Sequence, residues 1–126
     1  MSKITRIETD PRRSRAVVYN GMVFVGGMTA DDRSQDIEGQ MRQTLDKIEG
    51  YLAQAGTDKS RLLTAQIWIK DLNRDFERMN SVWNSWTAPG AAPTRATAQC
   101  DLGAPDVLVE VIVTAALPEA PISAGS

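Results

Sequence analysis

Apolar residues change their spacing several times along the chain, and each change marks an element. The first stretch carries short runs: Lys3 to Glu8, Arg15 to Tyr19 and Met22 to Val25, the last two separated only by Asn20-Gly21. Asn-Gly favours a two-residue hairpin turn because both positions tolerate a left-handed backbone. The chain therefore opens as a β-meander, and Gly26-Gly27 is expected to end its third strand. Thr29 to Gln35 is polar and reads as a surface loop.

A helical period follows. Ile37, Met41, Leu45, Ile48 and Leu52 form one apolar stripe, opened by a cap near Ser34 or Asp36 and closed by Gly56. From Leu62 to Lys70 the period falls to two, which places Leu63, Ala65, Ile67 and Ile69 on one face and Thr64, Gln66, Trp68 and Lys70 on the other. A second helix carries Phe76, Met79, Trp83 and Trp86 on one side, and these are expected to enter the core. Pro89 to Pro93 breaks it. Two strands remain, Thr94 to Cys100 and Val107 to Ala116, joined by a loop over Asp101 to Asp106.

The predicted order is β-β-β-α-β-α-β-β, an α+β domain in which two helices pack on one face of a mixed β-sheet. Residues 1–117 form that single domain, and residues 118–126, with two prolines and small side chains, read as a frayed tail. Val107 to Val113 offers apolar side chains on both faces, although the helices cover only one. The open face is expected to meet other copies of the chain.

Composition narrows the chemistry. The 126 residues carry 14 basic and 16 acidic side chains, a net charge of -2 that gives little general attraction for a polyanion, so nothing in the composition asks for nucleic acid. Histidine is absent and Cys100 is the single cysteine, which removes Ser-His-Asp and Cys-His relays, an internal disulfide and zinc sites of the usual kind. Asp31-Asp32 and Asp36 lack the spacing of a calcium loop and read as a solvated turn, so no metal is expected. Gly26-Gly27 follows a strand without the further glycines or lysine of a phosphate loop. Neither a secretory leader nor a membrane span is evident, and the expected location is the cytoplasm.

Two charged residues stand out because they lie in strands. Arg95, Thr97 and Gln99 alternate onto one face of their strand, with Ala96, Ala98 and Cys100 on the other; Cys100 reads as a small core residue. Glu110 shares a face with Leu108, Ile112 and Thr114, opposite Val107, Val109, Val111 and Val113. A guanidinium on a rigid strand grips a carboxylate with two parallel hydrogen bonds, and a carboxylate among apolar neighbours is poised as a general base. The bland alternative is a structural ion pair between Arg95 and Glu110 on adjacent strands, or a salt bridge between subunits.

These residues carry a resemblance. Met22-Val-Phe-Val-Gly-Gly-Met28, Gln40 to Ile48, Asp75-Phe-Glu-Arg-Met-Asn-Ser81, Ala92-Pro-Thr-Arg95 and Leu108-Val-Glu-Val111 together resemble the Rid family, also called YjgF/YER057c/UK114, over roughly Arg13 to Ala116. Asp58 to Leu63 and Met79 to Trp86 are similar to its YoaB-like branch. The resemblance implies a chorismate-mutase-like fold and a homotrimer with clefts between subunits. It implies that Arg95 binds a substrate carboxylate, that Glu110 positions the attacking water, and that Asn80 lies near the cleft. Gly26 stands where the family often has serine, Thr97 where it has cysteine and Arg13 where it has an aromatic, which makes these three further substrate-contact candidates.

The implied activity is cofactor-independent hydrolysis of enamine or imine intermediates of amino acids to 2-oxo acids and ammonia. Two other readings are a non-catalytic trimer that binds small carboxylic or keto acids, and a holdase or interaction scaffold.

Overall fold

The computed structural model describes residues 3–119, so most of the segment expected to fray, residues 120–126, lies outside the described residues, as do Met1 and Ser2. Strands β1 (Thr5–Thr9), β2 (Ser14–Tyr19) and β3 (Met22–Met28) are followed by helix α1 (Ile37–Ala55), a short 3-10 turn (Lys59–Arg61), β4 (Leu62–Ile69), α2 (Leu72–Trp86), β5 (Thr94–Gln99) and β6 (Val109–Ala116). The element order is the predicted one. Asn20 and Gly21 both take positive φ, 50° and 75°, as the hairpin between β2 and β3 requires.

The six strands form one mixed sheet in the order β1-β2-β3-β6-β4-β5, in which β4 and β5 are parallel and every other pair is antiparallel. A parallel pair needs a crossover, and α2 supplies it. Asp36 caps α1 by accepting from the Gly39 amide at 2.9 Å, and Asp71 caps α2 by accepting from the Arg74 amide at 3.0 Å. Arg78 of α2 donates to Asp36 at 2.6 Å and to Glu38 at 3.1 Å, fastening the second helix to the start of the first.

Both helices cover the same face. The stripe Ile37, Met41, Leu45, Ile48 and Leu52 is fully buried against Val23, Val25, Val109, Val111, Val113, Ile67 and Ile69. Burying each large side chain of this kind contributes roughly 1.5–3 kcal/mol, and truncating Ile48 to alanine would cost roughly 2–5 kcal/mol. On the other face, Leu108 just before β6 and Glu110, Ile112 and Thr114 within it are half-buried, Phe24 and Trp68 are exposed, and Thr64 and Thr114 share a hydroxyl hydrogen bond of 2.6 Å.

Three local expectations need correction. Gly26-Gly27 does not end β3, which continues to Met28 through a bulge: Val25 pairs with Val113 and Met28 with Val111. A second shift, between Leu62 and Thr64, buries Leu62 and leaves Leu63 exposed, the reverse of strict alternation. Among the α2 residues expected in the core, Met79, Trp83 and Trp86 are buried, whereas Phe76 is 37% exposed beside Arg95.

The start of β6 is tied to α1 by one buried amide. Gln40 donates through Nε2 to the carbonyls of Gln35 and Asp106, at 3.1 and 2.9 Å, while its Oε1 accepts from the Leu108 amide at 2.9 Å. The strand that carries Glu110 is thereby anchored two residues before the acid.

Candidate functional site

Arg95 faces the helices. Its Cα partner in β4 is Ala65, a core residue, and its guanidinium carbon lies 5.7 Å from the ring centroid of Trp83 and 6.0 Å from that of Phe76. Both rings belong to α2, where Phe76, Asn80 and Trp83 follow at helical spacing and so share one side. Arg95 makes no ion pair with any described residue, and partial burial lowers the pKa of its guanidinium, which stays charged. A desolvated cation held on two aromatic faces is a ready receptor for an anion.

Two orphaned polar atoms accompany it. Thr97 aligns with the core residue Ile67, and its Oγ1 is buried without a hydrogen-bond partner among the described residues, as is Oδ1 of Asn80. Unpaired buried polar atoms cost roughly 1–3 kcal/mol each, a cost that a bound polar group would remove. Gln99, the third polar residue of this strand face, has a structural role, since its Oε1 accepts from the Leu72 amide at 2.8 Å and ties β5 to the start of α2.

Glu110 faces the other way. It pairs with Trp68 of β4, an open-face residue, and its carboxyl lies against Gly27 in the β3 bulge. A Cβ on Gly27 would stand 2.9 Å from Cδ of Glu110, so only glycine leaves the acid its place. Burial raises the Glu110 pKa above the usual carboxylate value, and the field of Arg13 lowers it in part.

The carboxyl separates two hollows. One, of about 310 Å³, is lined by Arg13, Arg15, Gly27, Arg33, Lys47 and Glu110 among others. The other, of about 390 Å³ on the open face, is lined by Trp68, Ala98, Cys100, Asp101, Leu102, Gly103 and Glu110. Cys100 is therefore a half-exposed pocket residue and not part of the core beneath the helices.

The alternative of a structural Arg95–Glu110 ion pair on adjacent strands of one chain fails. β4 stands between β5 and β6, and the two side chains leave the sheet on opposite faces. Within one chain the site is two separate halves: Arg95, Thr97 and Asn80 with Phe76 and Trp83 in one, Glu110 with Gly27 and Arg13 in the other. Gly26 is exposed one position away, and a Cβ there would make only an ordinary contact of 3.5 Å with the Arg15 carbonyl. Its neighbour Gly27 is the glycine that meets the acid. Sequence reasoning also missed Phe76 and Arg15; the helical spacing from Phe76 to Trp83 and the alternation of β2 were the available signals.

No described group of three or more acidic, histidine or cysteine side chains is arranged to hold a metal ion, and no described helix is long and apolar enough to cross a membrane.

Comparison with known proteins accords with this fold. The family profile described as Endoribonuclease L-PSP matches residues 4–117. A RutC family protein of Haemophilus ducreyi is 40% identical over 114 residues, covering 90% of this chain and 97% of its own, and the RutC family protein YoaB of Escherichia coli K12 is 35% identical over 114 residues, covering 90% and 98%. The crystal structure of NMB1025, a member of the YjgF protein family from Neisseria meningitidis, superposes with a TM-score of 0.90 at 36% identity and covers 94% of this chain and 98% of that one. With the family profile spanning nearly all of the sheet and both helices, the chain belongs to the Endoribonuclease L-PSP family, known also as the Rid or YjgF/YER057c/UK114 family, and has YoaB among its relatives.

Proposed function

We propose that the protein is a cytoplasmic hydrolytic deaminase of reactive 2-imino acids and their enamine tautomers, and that it works as a homotrimer. The observation that carries this reading is the division of the site. An arginine without an anionic partner among the described residues and a desolvated glutamate sit on opposite faces of one sheet. In a closed ring of copies, edge strand β5 of one subunit is set against the open, bulged side of the next, and the Arg95 half of one meets the Glu110 half of its neighbour. Exposed Phe24 and Trp68 on the uncovered face support burial against such a neighbour.

The chemistry then needs few groups. Arg95 receives the α-carboxylate in a two-pronged hydrogen bond, while Thr97 and Asn80 satisfy their free oxygens on the bound substrate and its water. Glu110 orients a water molecule and accepts its proton as oxygen bonds to the imine carbon. The resulting carbinolamine takes a proton on nitrogen, the C–N bond breaks, and ammonia leaves as the carbonyl forms: imine plus water gives 2-oxo acid plus ammonia. Imines hydrolyse unaided in water, so positioning supplies most of the acceleration required. Arg95 serves substrate capture and Glu110 the chemical step.

The test is to generate 2-imino acids in place with an amino-acid oxidase, trap what remains with semicarbazide, and measure whether added protein depletes the adduct. Arg95→Ala and Glu110→Gln are expected to fold and to be inactive. Wild-type activity in either removes its role, and keto-acid binding without turnover in the unmodified protein would replace the enzyme by a binding module.

A further inference from the structure

We propose that the hollow beside Glu110 is a receptor for a second anionic group, so that the preferred substrates are 2-imino dicarboxylic acids; this rests on the deaminase reading above and names its substrate class. Arg13, Arg15, Arg33 and Lys47 all line this hollow of about 310 Å³, and Glu110 is the one acid among its described lining residues. Two of the cations are engaged: Arg33 pairs with Asp106 at 3.4 Å, and Lys47 with Asp31 at 2.9 Å. Arg13 and Arg15 make no ion pair with any described residue, although Asp10 and Glu110 lie within reach of their fields.

That arrangement is more cationic than the reaction requires. A monocarboxylic imine has its only anion on Arg95 and would present an alkyl side chain to two guanidinium groups that have no ion-pair partner among the described residues. A side-chain carboxylate entering the same hollow meets both. The open-face pocket around Trp68 and Leu102 carries no cation among its described residues, so the charge is concentrated on one side of Glu110. A carboxylate beyond the imine carbon is thus drawn to the Arg13 side while Arg95 of the neighbouring copy holds the α-carboxylate. The substrate is then clamped at both ends with its imine carbon beside the acid.

The experiment compares imines made by oxidases from aspartate and glutamate with those from alanine and leucine, scored by semicarbazide trapping. The wild-type protein should favour the dicarboxylic imines by about tenfold or more in kcat/KM, the scale of one charged hydrogen bond. Arg13→Ala and Arg15→Ala should each lower that selectivity ratio by about tenfold, and Arg13→Lys should keep most of it. A ratio near one in the wild type, or one unmoved by both alanine variants, overturns the second receptor and leaves the deaminase reading standing. If the wild type turns over no imine, the deaminase reading fails, and calorimetry with 2-oxoglutarate against a monocarboxylic oxo acid decides the receptor separately. Preference for 2-oxoglutarate that Arg13→Ala abolishes supports it, and equal binding of the two overturns it.

Discussion

Arg95 and Glu110 project from opposite faces of one sheet, two strands apart, with β4 between them. No side-chain rearrangement within one chain brings them together, because each is fixed by the pleat of its own strand. A pocket that uses both must draw them from different copies.

That requirement is measurable by complementation. In the proposed trimeric deaminase, Arg95→Ala and Glu110→Gln should each be inactive alone, whereas a mixed trimer would contain a junction with an intact arginine on one side and an intact acid on the other. Statistical mixing of equal amounts should restore about a quarter of wild-type activity, the share of intact junctions expected from a three-membered ring. Activity that stays at zero after unfolding and co-refolding, with mixed trimers verified by mass, contradicts a shared site.

Gly27 offers a sharper steric test than Gly26. A methyl at position 27 displaces the Glu110 carboxyl, whereas one at position 26 meets only ordinary packing. Gly27→Ala should lower kcat by roughly 10- to 100-fold with little change in KM, since misplacing a catalytic group by about 1 Å has an effect of this size. Gly26→Ala should stay close to wild type. Steady-state kinetics on both, with matched melting temperatures, decides the point.

The pH profile carries the environment of Glu110. Burial raises its pKa, partly opposed by Arg13, so the basic carboxylate form is lost, as pH falls, at a higher pH than for an exposed glutamate. The acid limb of kcat/KM is expected above the ordinary glutamate range, and Arg13→Ala should move it higher by removing the opposing cation. A limb that shifts down in that variant would contradict the assignment.

Thr97→Val separates ligand contact from folding. The hydroxyl is buried without a described partner, so replacing it with a methyl should leave the melting temperature equal or raise it. If the hydroxyl instead bonds substrate, affinity for a keto acid falls by roughly five- to tenfold. Calorimetry beside thermal denaturation reads both quantities from one preparation.

Local periodicity made most of the elements legible. The α1 stripe, the Asn20-Gly21 hairpin and the alternation of β6 are each encoded in neighbouring residues, and the structure places them accordingly. Alternation also correctly grouped Arg95 with Thr97 and Glu110 with Ile112. It carried no information on how the faces of different strands relate, because the insertion of β4 between β6 and β5 is a long-range pairing without a local signature. The bulges were hidden for a similar reason: an extra residue in one strand is defined by its partner, so Gly27 gave no sign of its place under the acid, and Leu62 and Leu63 exchanged sides.

The Gln40 clip grips peptide groups alone: the carbonyls of Gln35 and Asp106 and the amide of Leu108. Because it recognises main chain, it is indifferent to which side chains those positions bear. The side chains between Asp101 and Asp106 can therefore change without loosening the strand that holds Glu110 in place.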